Sequence, residues 1–119
     1  MFNVEGFVIT LSRGDTGAIK ITADTDYTFA TEDRALFSVK KGNGEVVKQS
    51  VFELDENKAF VVTFFNDDTD NLAAGGYSWD VRYIINPYYD SQGRIIDGDQ
   101  VITPKTPMEL QLLQVVGEV

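Results

Sequence analysis

Polar and apolar residues alternate with a period of two along most of this chain, the spacing of half-buried β-strands rather than helices. The clearest case starts at Tyr77. Tyr77, Trp79, Val81, Tyr83 and Ile85 fall on one face, and Ser78, Asp80, Arg82 and Ile84 on the other. Shorter runs precede it: Phe7, Ile9 and Leu11; Ile19, Ile21 and Ala23; Ala35, Phe37 and Val39; Phe60, Val62 and Phe64. Turn residues separate these runs, with Arg13-Gly14-Asp15, Asp24-Thr25-Asp26 and Lys40-Lys41-Gly42-Asn43-Gly44 as the plainest signals. The run Val46–Leu54 has no single phase. Val46, Phe52 and Leu54 share one face and Val47 and Val51 the other, which predicts a bulge or a two-sided edge.

The polar run Asn66–Asn71 predicts one helical turn, since Asn and Asp bond their own backbone. After Ile85 comes a long connection, Asn86–Gly98, carrying Tyr88 and Tyr89 and an Asp90-Ser91-Gln92-Gly93 turn. Val101-Ile102-Thr103 is then cut by Pro104 and Pro107. Met108, Leu110, Leu112 and Val116 make a last strand. Prolines beside a strand fit an edge or a strand that switches sheets, and this final strand and Val46–Leu54 are the candidate edges. No segment reads as a helix of ordinary length.

Seven to eight short strands at this spacing predict an all-β, antiparallel sandwich, with residues 1–119 as one domain. Leu72, Gly75 and Tyr77 sharpen this to an immunoglobulin-like sandwich. A tyrosine so placed pins the corner between two sheets by bonding its hydroxyl back to the crossing loop. Trp79, two residues on, is expected in the core.

Composition narrows the function. A chain of 119 residues is long enough for its own core, and 43% hydrophobic with 24% charged residues is ordinary for a globular protein. The net charge of −9 opposes nucleic acid and anionic membrane surfaces, which both need a basic face. With no cysteine there is neither a disulfide nor a thiolate metal site. With no histidine the usual general base and transition-metal ligand are missing. The N-terminus lacks a basic segment followed by a long apolar one, so no signal peptide is expected. No apolar run approaches the ~20 residues of a membrane span.

Two segments together are similar to a known family. Thr10-Leu11-Ser12-Arg13-Gly14-Asp15-Thr16 with the Ala18–Thr22 strand resembles the opening of the immunoglobulin-like N-terminal domain of bacteriophage baseplate upper proteins. Phe60-x-Val62-x-Phe64, followed by Asp68-Thr69-x-Asn71-Leu72-x-x-Gly75-x-Tyr77-x-x-Asp80-Val81, resembles its second half. The Phe37–Lys41 strand fits between them, and the likeness spans about residues 7 to 85. The resemblance implies a non-enzymatic structural part of a phage or prophage tail, assembled in the bacterial cytoplasm. Its partners would be other tail or baseplate proteins and copies of itself. The Asn86–Gly98 connection is longer than that pattern's short hairpin.

The remaining candidates carry little chemistry. Asn66, Asp68 and Asp70 match the first ligands of a calcium loop. Asn71 then stands where its glycine belongs and Tyr77 where its bidentate glutamate belongs, so turn chemistry is preferred and no metal is assigned. Nothing selects one carboxylate pair for glycoside hydrolysis, and no serine has a histidine to activate it. No catalytic residue and no cofactor is expected. Arg13-Gly14-Asp15 is an adhesive tripeptide, but reads first as a turn with Gly14 at positive φ. Tyr88, Tyr89 and Ile95 in the Asn86–Ile96 loop are the candidate contacts for a partner. An alternative function follows from them, a carbohydrate-binding or cell-surface adhesion module.

Overall fold

The structure is a computed structural model that describes residues 2–103 and 109–113. In chain order the elements are β1 (Phe2–Glu5), β2 (Val8–Ser12), β3 (Gly17–Thr22), β4 (Arg34–Lys40), β5 (Val46–Phe52) and β6 (Ala59–Phe64). A helical turn, α1 (Asn66–Thr69), leads to β7 (Gly75–Tyr89), β8 (Ile95–Ile102) and β9 (Glu109–Leu113). The fold is an all-β sandwich. One sheet has the order β1-β2-β9-β7-β4-β5, with β8 also paired to β7; the other is β3-β6. β8 and β9 both run antiparallel to β7, β9 beside its beginning and β8 beside its end.

Alternation explains the packing. Ile9 and Leu11, Ile19, Ala35, Phe37 and Val39, Phe60, Val62 and Phe64, and Trp79, Val81 and Tyr83 form one buried cluster with Leu110. Aromatic rings join the layers: Phe37 meets Phe64 edge-on at 6.0 Å and Phe52 stacks on Phe60 at 5.1 Å; within the large sheet Trp79 lies 5.6 Å from Phe37. Trp79 is 6% exposed, and its indole N–H donates to the Phe7 carbonyl at 3.0 Å. The core tryptophan therefore also has a partner for its polar atom.

The corner closes as expected. Tyr77 Oη donates to the Ala73 carbonyl at 2.7 Å, and Gly75 takes φ +139°. Leu72 is half-buried against the core. The Arg13-Gly14-Asp15 turn docks on this corner. Gly14 has φ +80°, its N–H donates to Thr69 Oγ1 at 2.9 Å, Arg13 Nη1 donates to the Leu72 carbonyl, and Asp15 accepts from the Ser12 N–H. The tripeptide is thus built into the fold.

The bulge in β5 is also present. Lys40 pairs with Val46 and Val39 with Lys48, so Val47 is the extra residue. The swap leaves Val46 exposed and turns Val47 toward the core, reversing the facing expected for those two.

Four expectations are corrected. β2 and β9 are parallel, so the sandwich is antiparallel at every other pairing but not there. β9 lies between β2 and β7 and is not an edge; β5 is one, as expected, and β1 is the other edge of the large sheet. β1 itself is a strand that the pattern missed. Asn86–Gly98 is no loop either: β7 runs on to Tyr89 and pairs with β8 as a hairpin arm. Pro104, Pro107, Met108 and Val116 lie outside the described residues.

Candidate functional site

The arm is shaped by a bend, a glycine and a turn. The bend is at Asn86, which has φ +48°. Its backbone N–H donates at 2.9 Å to Oδ1 of Asp33, whose Oδ2 accepts from the Ala30 N–H at 2.7 Å. Asp33 is 2% exposed, and both of its oxygens accept backbone N–H groups, so the buried carboxyl is itself satisfied. Across from the bend, Gly98 pairs with Pro87. A methyl on Gly98 would fall 2.5 Å from Ile84 Cγ2 and 2.8 Å from the Ile85 carbonyl oxygen, closer than real contacts allow. At the tip, Asp90 Oδ1 accepts from the backbone of Gln92 and Arg94, and Oδ2 accepts from Arg94 Nε at 3.1 Å. These bonds, the one from the Arg94 backbone foremost, hold the Asp90 carboxyl below its ordinary value.

The consequence is a groove. Leu36 of β4, Gln49 and Val51 of β5, and Tyr89, Ile95 and Ile96 of the arm line a recess of about 510 Å³ on the outer face of the large sheet. A second recess of about 100 Å³ adjoins it, sharing Leu36, Ile95 and Ile96 and adding Arg82, Asp97 and Val101. Register explains the grouping: Leu36 pairs with both Val51 and Arg82, and Ile84 pairs with Val101. Ile84, outward by alternation, is nevertheless buried, because the arm folds Gly98 against it. Around it Ile96 stays 65% exposed, with Val51 and Val101 nearly half exposed.

The two tyrosines separate. Tyr88 Oη bonds to an Asp99 carboxylate oxygen, and Asn86 Nδ2 donates to the other at 2.9 Å. The Tyr88 bond, followed by the Asn86 one, lowers the Asp99 carboxyl below the ordinary carboxylate value, and the same bond raises the Tyr88 phenol. Tyr89 lines the groove instead. They are 46% and 49% exposed, so neither is core, but they do not form one platform. Ile95 is half-buried in the groove wall. Leu72, Gly75, Tyr77 and Trp79 belong to the corner and core, away from this face.

Most of the described cations are engaged. Lys40 pairs with Asp80, Lys48 with Asp68, Arg34 with Glu53, Lys41 with Glu45 and Arg94 with Asp90. Arg13 and Lys58 bond backbone carbonyls. Among the described cations, only Lys20 and Arg82 make no hydrogen bond or ion pair. Arg82 stands in the apolar face just described. Sequence reading did not reach Arg82, Leu36 or Val51, because strand register alone brings them together. Among the described residues no group of three acidic side chains is arranged to hold a metal. Asp68, the middle residue of the calcium-like run, is engaged by the Phe65 N–H at 2.7 Å and by Lys48. Compared with known proteins, the chain matches no family model, no curated sequence and no solved structure.

Proposed function

We propose that this chain is a non-enzymatic structural component of a phage or prophage tail or baseplate, working by protein–protein assembly. One observation carries the assembly reading: the open apolar face of Leu36, Val51, Tyr89, Ile96 and Val101 beside the edge of β5, which is unpaired among the described residues. Exposed contiguous apolar surface marks an interaction site, and an open strand edge is a natural pairing surface. The tail assignment rests on the ordered motifs between residues 7 and 85 that resemble baseplate upper proteins. The test is to recover tail particles after induction of the host strain and stain them with antibody to this chain. Labelled tails support the reading; unlabelled tails, with the chain left free, overturn it.

A second reading has its own observation. Tyr89 lines the groove beside Gln49, Asp90 and Arg94, an aromatic face next to hydrogen-bonding groups. Such a pairing suits a sugar ring. Binding of the isolated chain to a glycan array, abolished by Tyr89→Ala, would replace tail assembly with carbohydrate recognition.

A further inference from the structure

The outer face carries an unmatched pair of charges. Arg82 is exposed and has no partner among the described residues, in a chain with 19 acidic residues to 10 basic ones. Asp97 is exposed as well, and among the described residues its carboxylate accepts only the N–H of its neighbour Gly98. Both line the same small recess, yet they form no ion pair with each other. Around them lie an exposed apolar side chain, Ile96 on the wall of the groove, and the open groove under the arm.

This combination is self-complementary. In a two-fold contact any residue pair is made twice, so one surface must hold both halves of each interaction. Exposed apolar side chain and groove, and cation and anion, are both present here on one face. We infer that a second copy of this chain docks on this face about a two-fold axis, with Arg82 of each copy meeting Asp97 of the other; this rests on the assembly reading above. Ile96 of each copy enters the groove between Val51 and Tyr89 of the other. A foreign acidic segment would satisfy Arg82 and leave Asp97 facing it, whereas a second copy satisfies both.

The net charge of −9 does not prevent this. At physiological salt the screening length is about 8 Å, well below even the shortest dimension of the molecule, 22 Å. Acids remote from the contact are therefore screened, and charges within it decide the outcome. Centrally placed arginines in apolar surroundings are frequent anchors of such contacts.

Sedimentation or light scattering on the whole chain tests the inference. Wild type should form a dimer, and Arg82→Glu and Asp97→Arg should each be monomeric with unchanged circular dichroism. Mixed in equal amounts, the two variants should form a heterodimer. On one side of the axis the two reversed charges then face each other as an ion pair, and on the other side the two native charges do. Three results would overturn the inference. One is a wild type still monomeric at about 1 mM, where a millimolar Kd already pairs half the chains. The others are dimers that survive both reversals, and a mixture that stays monomeric. A monomeric chain still found in tail particles removes the dimer and keeps the assembly reading. A dimer absent from tails does the opposite.

Discussion

Asp33 holds the backbone of Asn86 from 53 positions earlier in the chain, with Oδ1 accepting its N–H at 2.9 Å while Oδ2 binds Ala30. One buried carboxylate thereby fixes both the approach to β4 and the bend in β7. Asn86 is among the few side chains that adopt a left-handed φ of +48° readily, and the bond from Asp33 holds it there inside a paired segment.

Asp33→Ala should therefore destabilise the whole sandwich, not only the arm. It removes the acceptor of two part-buried N–H groups, and a hydrogen bond to a charged group is worth about 1.5–3 kcal/mol. Urea unfolding should show a loss of about 2–4 kcal/mol. Amide exchange at Ala30 and Asn86 should rise more than elsewhere. A variant that melts like wild type would show the contact to be dispensable.

Gly98→Ala should unseat the arm. The added methyl meets the Ile85 carbonyl oxygen at 2.8 Å, and a backbone atom cannot rotate away as a side-chain end can. Overpacking of this kind costs about 1–3 kcal/mol. Ile84 should then become accessible, visible as broadening of its methyl resonances by a soluble paramagnetic probe. The core around Trp79, on the opposite face of β7, should keep its near-ultraviolet signature.

Trp79→Ala and Tyr77→Phe separate core from corner. The first empties the space against Phe37 and removes the bond to Phe7, and should cost about 3–5 kcal/mol. The second loses one hydrogen bond to Ala73 near the surface, about 1 kcal/mol, and should keep the fold. Equal melting of the two variants would contradict this division.

What could be read in advance followed from local pattern. Ala35, Phe37 and Val39 are buried because alternation survives in any register, and Leu72, Gly75 and Tyr77 form a corner whose bond spans only four residues. Gly14 takes its positive φ because the turn is short. The arm was not legible, since Asn86-Pro87 has the composition of a loop. A proline is tolerated there because the arm leaves one side of β7 unpaired. β1 was hidden for another reason: Phe2 lies over Gly17, where a Cβ would fall 2.4 Å from the ring, and packs 5.8 Å from Phe64. Phe2 and Val4 do alternate with Asn3 and Glu5, but two apolar positions are too few to mark a strand. The candidate face depends on register among β4, β5, β7 and β8, which no local signal encodes.

The Tyr88–Asp99 link should persist across neutral pH and open at both extremes. Asp99 has its carboxyl lowered in the folded state, so its contribution is complete above the ordinary carboxylate value and is lost as pH falls through its own lower one. Tyr88 is raised, so its contribution is complete below the ordinary phenol value and is lost as pH climbs through its own higher one. Carboxyl and ring NMR should show Asp99 titrating below the ordinary carboxylate value, and Tyr88→Phe should bring it back toward that value. An Asp99 that titrates at the ordinary carboxylate value, in wild type, would show the bond to be absent in solution.

Tyr83 sets the alkaline limit. Its ring is buried between Phe29 at 5.5 Å and Phe60 at 6.3 Å, and that burial pushes the phenol from 10 up to about 12. The folded chain thus keeps a proton that the unfolded chain releases near pH 10. The stability tied to this group is complete below pH 10 and is lost between there and pH 12. The slope should be about 1.4 kcal/mol per pH unit while only the unfolded form is ionised. Tyr27 and Tyr88 are raised too and add to the slope in the same direction. The comparison is therefore between wild type and Tyr83→Phe, by urea unfolding from pH 9 to 12. The variant should lose stability less steeply above pH 10; parallel curves would mean that folding leaves the Tyr83 phenol at its ordinary value.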